Sequence, residues 1–129
     1  MFDSELSILA IYGLVVAISI ALQTSGAMGQ FGVSYLLSAR DEARSASGTT
    51  ARLDRAQNNA IQAMVLFAPA ILILAVKGTS SDTSLLAAQV FLIARVIYLP
   101  AYAFGITGLR TLTWIIGFAS TISLYFLAL

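Results

Sequence analysis

The sequence predicts an all-α integral membrane protein built as a four-helix bundle, and three observations carry that prediction. Of the 129 residues, 59% are hydrophobic and only 10% charged, whereas a soluble domain carries about 25% charged residues. The mean hydropathy is +0.90. The apolar residues gather into four runs, each near the roughly 20 residues that a bilayer crossing needs, with most of the charges between them.

The first span is expected over residues 6–37. "MFDSELS" sets Asp3 and Glu5 where a signal peptide carries positive charge, and the run outlasts a signal core, so it reads as a retained helix. Residues 6–21 are its apolar centre, and the less apolar "LQTSGAMGQFGVSYLL" carries the helical pattern onward. There Gly26, Gly29 and Gly32 recur every third residue, a spacing that lets another backbone approach closely. Residues 38–55, "SARDEARSASGTTARLDR", are charge-dense and rich in Ser, Thr and Gly, and read as an interfacial loop. The remaining spans are expected at 56–76, 85–104 and 111–129, joined by "KGTSSDTS" and by the tight "GITGLR". Pro69 and Pro100 shape their helices, and Trp114 suits an interfacial anchor. The chain reads as one domain over 1–129, with no internal repeat.

Four spans put both termini on one side. Arg40, Arg44, Arg52, Arg55 and Arg110 lie on the other, and Lys77 is the sole basic residue outside the spans on the terminal side. The positive-inside rule then places the 38–55 loop in the cytoplasm. The net charge of +1, without any basic tract, gives no sign of nucleic-acid binding. The sequence has no cysteine and no histidine, which removes thiolate nucleophiles, the commonest general base and the usual transition-metal ligands.

Several polar residues fall inside or against the spans. Arg55, Asn59 and Gln62 stand at i, i+4 and i+7 and so share a helical face, with Asn58 beside it; Arg95, Tyr98 and Tyr102 share another. Arg95 lies about halfway along its span, where an arginine costs about 2.5–3.5 kcal/mol on insertion scales and needs partners or a water-filled cavity. Two readings stay open from the residues alone. The polar faces either line a binding cavity or hydrogen-bond neighbouring helices as structural glue, and Arg55 can snorkel to the headgroups.

"RLDRAQNNAIQ" resembles the signature of the MAPEG family, membrane-associated proteins of eicosanoid and glutathione metabolism, an Arg-Ala-x-x-Asn-x-x-Glu motif. "ARVIYLPAYAFGITGLR" is similar to the family's second signature, an arginine, spaced tyrosines and a further arginine before the last span. The likeness covers nearly the whole chain and is strongest to small bacterial members. It implies a homotrimer in a bacterial inner membrane, with glutathione held between protomers. Carried over, Arg55, Asn59, Gln62, Arg95, Tyr98 and Tyr102 take the glutathione-binding positions, and Arg110 takes that of the catalytic arginine that activates the thiol; no metal is implied. One departure stands out, because Gln62 occupies the place of the motif's glutamate. A neutral amide accepts a hydrogen bond but cannot neutralise the glutathione ammonium in a low-dielectric site.

Three functions therefore compete. One is a glutathione-dependent transferase or peroxidase acting on a lipophilic electrophile from the bilayer. The second is a non-catalytic trimeric membrane protein binding a lipid headgroup or another anion in the same cavity, which Gln62 favours. The third is a polar seam that only holds the assembly together.

Overall fold

The computed structural model describes residues 2–129. Their helices are α1 (Glu5–Phe31), α2 (Val33–Leu37), α3 (Gly48–Lys77), α4 (Asp82–Ala103) and α5 (Thr107–Ala128). All but the short α2 are long and apolar enough to cross a membrane. Local chemistry sets most of the ends. The Ser4 hydroxyl caps α1 by accepting from the Ser7 amide at 3.1 Å. Ser81 and Ser84 cap α4 reciprocally, each side chain accepting from the other's backbone N–H. α3 stops at Gly78 in the left-handed region, where the Thr79 amide turns back to the Leu74 carbonyl at 3.1 Å.

Four expectations are corrected. The first span does not continue unbroken to residue 37, because Gly32 has φ +83°, ψ 152° and separates α1 from α2. Only glycine tolerates that combination readily. Residues 48–55, read as loop, form the opening turns of α3, so the connection shrinks to residues 38–47. Arg52 and Asp54, both partly exposed, sit on helical turns that precede the apolar stretch of α3, which a count of apolar residues does not register. α4 and α5 begin a few residues ahead of positions 85 and 111, because the count misses polar first turns.

The interior is aromatic and aliphatic. Phe67 of α3 and Phe91 of α4 stack at 3.8 Å between ring centroids, and Tyr12 of α1 meets both edge-on. Ile8, Ile71, Leu74 and Leu124 close this core. The buried Tyr12 hydroxyl donates to the Ala60 carbonyl of α3 at 2.8 Å, which meets its demand for a partner in an apolar setting. Toward the chain ends, the Ser84 hydroxyl donates to the buried Glu5 carboxyl group, and Lys77 Nζ donates to the Ala128 carbonyl at 2.7 Å. Outward faces carry Leu14, Val65, Ile93, Ile115 and Phe126 exposed. That inversion suits a lipid solvent, which does not penalise apolar surface.

Of the three spaced glycines, one makes a close approach. A Cβ at Gly26 would lie 2.8 Å from Thr50 Oγ1 and 3.2 Å from its methyl group, whereas one at Gly29 would meet nothing within 4 Å. Gly26→Ala is therefore expected to lower the thermal unfolding temperature in detergent, and to raise it once Thr50→Ala has cleared the space. The coupling between the two sites should be about 1–3 kcal/mol, the usual range for overpacking. Independent, additive effects would show that α1 and α3 are not in steric contact there.

Candidate functional site

Where α3, α4 and α5 converge, a cleft of about 350 Å³ opens between Arg55 and Asn59 of α3, Tyr98 and Tyr102 of α4, and Arg110, Thr111 and Trp114 of α5. Helical spacing puts the α3 and α4 residues there. The turn after α4 brings in the rest: Gly105 at φ +73° lets the Ile106 amide reach back to the Ala101 carbonyl at 2.9 Å, so α5 starts beside the end of α4.

Tyr102 stands at the centre. Its hydroxyl accepts from Arg55 Nε at 3.1 Å, and the Arg110 guanidinium carbon lies 4.8 Å from its ring centroid. Tyr98 meets it edge-on at 5.7 Å. Two guanidiniums thus sit on one aromatic ring from different helices, an arrangement that cation–π attraction supports. Neither Arg55 nor Arg110 makes an ion pair among the described residues.

Arg95 lies deeper, at 2% exposure. Its Nη2 donates to Asn59 Oδ1 at 2.7 Å, and its guanidinium carbon sits 4.2 Å over the Tyr98 ring. Its Nε is buried with no hydrogen-bond partner among the described residues. The aliphatic stem runs past Gly117 of α5, where a Cβ would stand 3.2 Å from Arg95 Cδ. Arg95, Asn59, Gln62, Trp114 and Gly117 border a second, smaller depression of about 100 Å³.

The expected site residues are thus brought together, though in two adjoining hollows rather than one. Arg55, Tyr98, Tyr102 and Arg110 line the larger, Arg95 and Gln62 the smaller, and Asn59 both. Asn58 is exposed and borders neither hollow. Trp114, read from sequence as an anchor, borders both hollows and stacks on Phe118 with centroids 5.2 Å apart. Thr111 and Gly117 were not anticipated. The signal existed: Arg110, Trp114, Gly117 and Thr121 fall at i, i+4, i+7 and i+11, a single face of α5. No aspartate or glutamate borders either hollow. Chemically, the arrangement can neutralise more than one negative group and donate several hydrogen bonds to oxygen anions.

Since the Asn59 amide oxygen accepts a hydrogen bond from a buried cation, Asn59→Leu should destabilise the fold by about 1–3 kcal/mol, the cost of leaving a buried donor without its partner. Denaturation in detergent would measure it. A variant as stable as the native chain would mean that Arg95 has water as its main partner.

A sequence model of the MAPEG family matches residues 6–129. No curated protein matches the chain. With a match over almost its full length, and four membrane-capable helices in the expected order, this multi-pass integral membrane protein belongs to the MAPEG family.

Proposed function

We propose that the cleft binds glutathione and presents its sulfur to a lipophilic electrophile arriving from the bilayer, in a transferase or peroxidase reaction. The single observation that carries this reading is the set of guanidiniums at Arg55, Arg95 and Arg110 with no acidic residue lining either hollow. A tripeptide with two carboxylates is the complement of such a set. Its thiol would also supply the nucleophile that a chain without cysteine lacks.

The residues divide the work by position. Arg55 is exposed and borders the larger hollow, where a guanidinium can grip a carboxylate through two donors. Arg95, with its free Nε, and Asn59 offer donors at depth. Arg110 keeps positive charge against Tyr102, and a cation near a thiol favours the thiolate. Tyr98 and Tyr102 orient the guanidiniums by their ring faces. The ligand ammonium meets the neutral, exposed Gln62 at the edge of the smaller hollow. The proposal includes assembly as a homotrimer with the 38–47 connection in the cytoplasm.

A second reading rests on that glutamine. An anion without an ammonium group, such as a lipid headgroup phosphate, fits the same arginines and needs no carboxylate at position 62.

Calorimetry on detergent-purified protein separates the two. Glutathione is expected to bind with Kd below about 1 mM, and Arg55→Ala to weaken it by about tenfold, the scale of one charge-assisted hydrogen bond. Gln62→Glu should tighten it. Heat from neither the native chain nor Gln62→Glu, both well folded, would remove glutathione and leave the anion reading. Where binding is found, conjugation of glutathione to an aryl halide should fall about a hundredfold in Arg110→Ala with little change in glutathione affinity, as loss of a stabilising donor does. An unchanged rate would take Arg110 out of the chemistry.

A further inference from the structure

On the opposite side of the α3–α4 wall lies a third concavity, separate from the two hollows of the arginine site. It is a groove of about 360 Å³ running between α1, α3 and α4, bordered by Ile18, Leu22, Leu53, Val96, Leu99 and Phe104 among others. Its walls are almost wholly apolar, with Ser19 the one polar residue among them. From Val96 to Phe104 it follows α4 for about 12 Å at 1.5 Å per residue. Ile18, Leu22 and Val96 are exposed along it, and Phe104 is 78% exposed at its end.

That end is where a cation stands. Arg52 precedes the groove residue Leu53, and its Nε donates to the carbonyl of Ala103, itself a groove residue, at 3.0 Å. Its Nη2 donates to Thr49 Oγ1 at 3.3 Å. The guanidinium is therefore fixed in place. Gly105 lies beside it, since a Cβ there would stand 3.8 Å from Nη1, an ordinary contact. Arg52 makes no ion pair among the described residues.

A slot for hydrocarbon that ends at a held, uncompensated guanidinium matches one class of molecule, and the surrounding bilayer contains it. We propose that this groove is a phospholipid site, with one acyl chain lying between α1 and α4 and the phosphodiester at Arg52. A net-negative headgroup is preferred, because Arg52 brings a positive charge that forms no ion pair among the described residues. Arg52 thereby acquires a role separate from the arginines of the cleft, and the proposal stands whether or not glutathione binds there.

Native mass spectrometry of the detergent-solubilised chain, reloaded from phosphatidylglycerol or phosphatidylcholine, tests it. One phospholipid per chain is expected, with phosphatidylglycerol retained about fivefold better, the scale of one interfacial charge. Arg52→Gln should abolish that preference, and Ala103→Phe should fill the groove and abolish retention. A benzophenone carried on Phe104→Cys, at the exposed end of the groove in a chain with no other cysteine, gives a readout that leaves Arg52 and Ala103 native. Crosslinking that adds the mass of one phospholipid supports the proposal. Equal retention in the native chain and both variants, or no retention by the native chain, overturns it. So does a crosslinked dimer band, which would assign the groove to a second copy.

Discussion

A guanidinium buried near the middle of a membrane-capable helix is the constraint around which the rest of this molecule is arranged. Arg95 sits at 2% exposure, where hydrocarbon offers nothing to hydrogen-bond and insertion alone costs about 2.5–3.5 kcal/mol. Its own helix and two neighbouring spans meet that demand differently. α3 gives the Asn59 amide oxygen, α4 gives the face of Tyr98 one turn on, and α5 gives way at Gly117 so that the stem can pass. Those three helices are held in register by one side chain. α1 joins through a neutral polar bond from Tyr12 to Ala60, the residue after Asn59. The aromatic stack of Phe67 and Phe91 continues the contact toward the other side of the bundle.

Much of this was legible from residue order. The four apolar runs, the helical faces at Arg55/Asn59 and at Tyr98/Tyr102, and the inward placement of Arg95 follow from hydropathy and a period of 3.6, and the structure has them. What escaped was of two kinds. Helix length beyond the apolar run, as at residues 48–55 of α3, leaves no hydropathic mark, because polar helix outside the bilayer looks like loop. The split into two hollows also escaped, since spacing along one helix shows a shared face but not which neighbour that face meets. Asn59 borders both hollows because α4 presents Arg95 to it while α5 presents Trp114. Gly117 shares a face with Arg110 and Trp114, but that spacing does not show its contribution, which is missing volume beside the Arg95 stem.

α3 and α4 work as a partition with a different solvent problem on each face. On one side Arg55, Asn59, Tyr98 and Tyr102 point into the charged cleft; on the other, Leu53, Ala56, Leu99 and Ala103 line the apolar groove. Adjacent positions serve opposite faces because each step turns the helix by about 100°. Membership of the MAPEG family accounts for the architecture. The individual character of this chain lies in single positions laid over it, above all the amide at Gln62, where the family motif carries a carboxylate.

Trp114 is the sole tryptophan in the chain, and it borders both hollows while stacked on Phe118. The indole emission of the protein, excited at wavelengths where its five tyrosines do not absorb, therefore originates at one point beside the cationic cleft. Its colour and yield depend on the polarity and quenching groups immediately around that indole, with no other indole to dilute the signal. The unlabelled protein is in effect a single-site optical sensor of its own cavity, readable in detergent or bilayer alike.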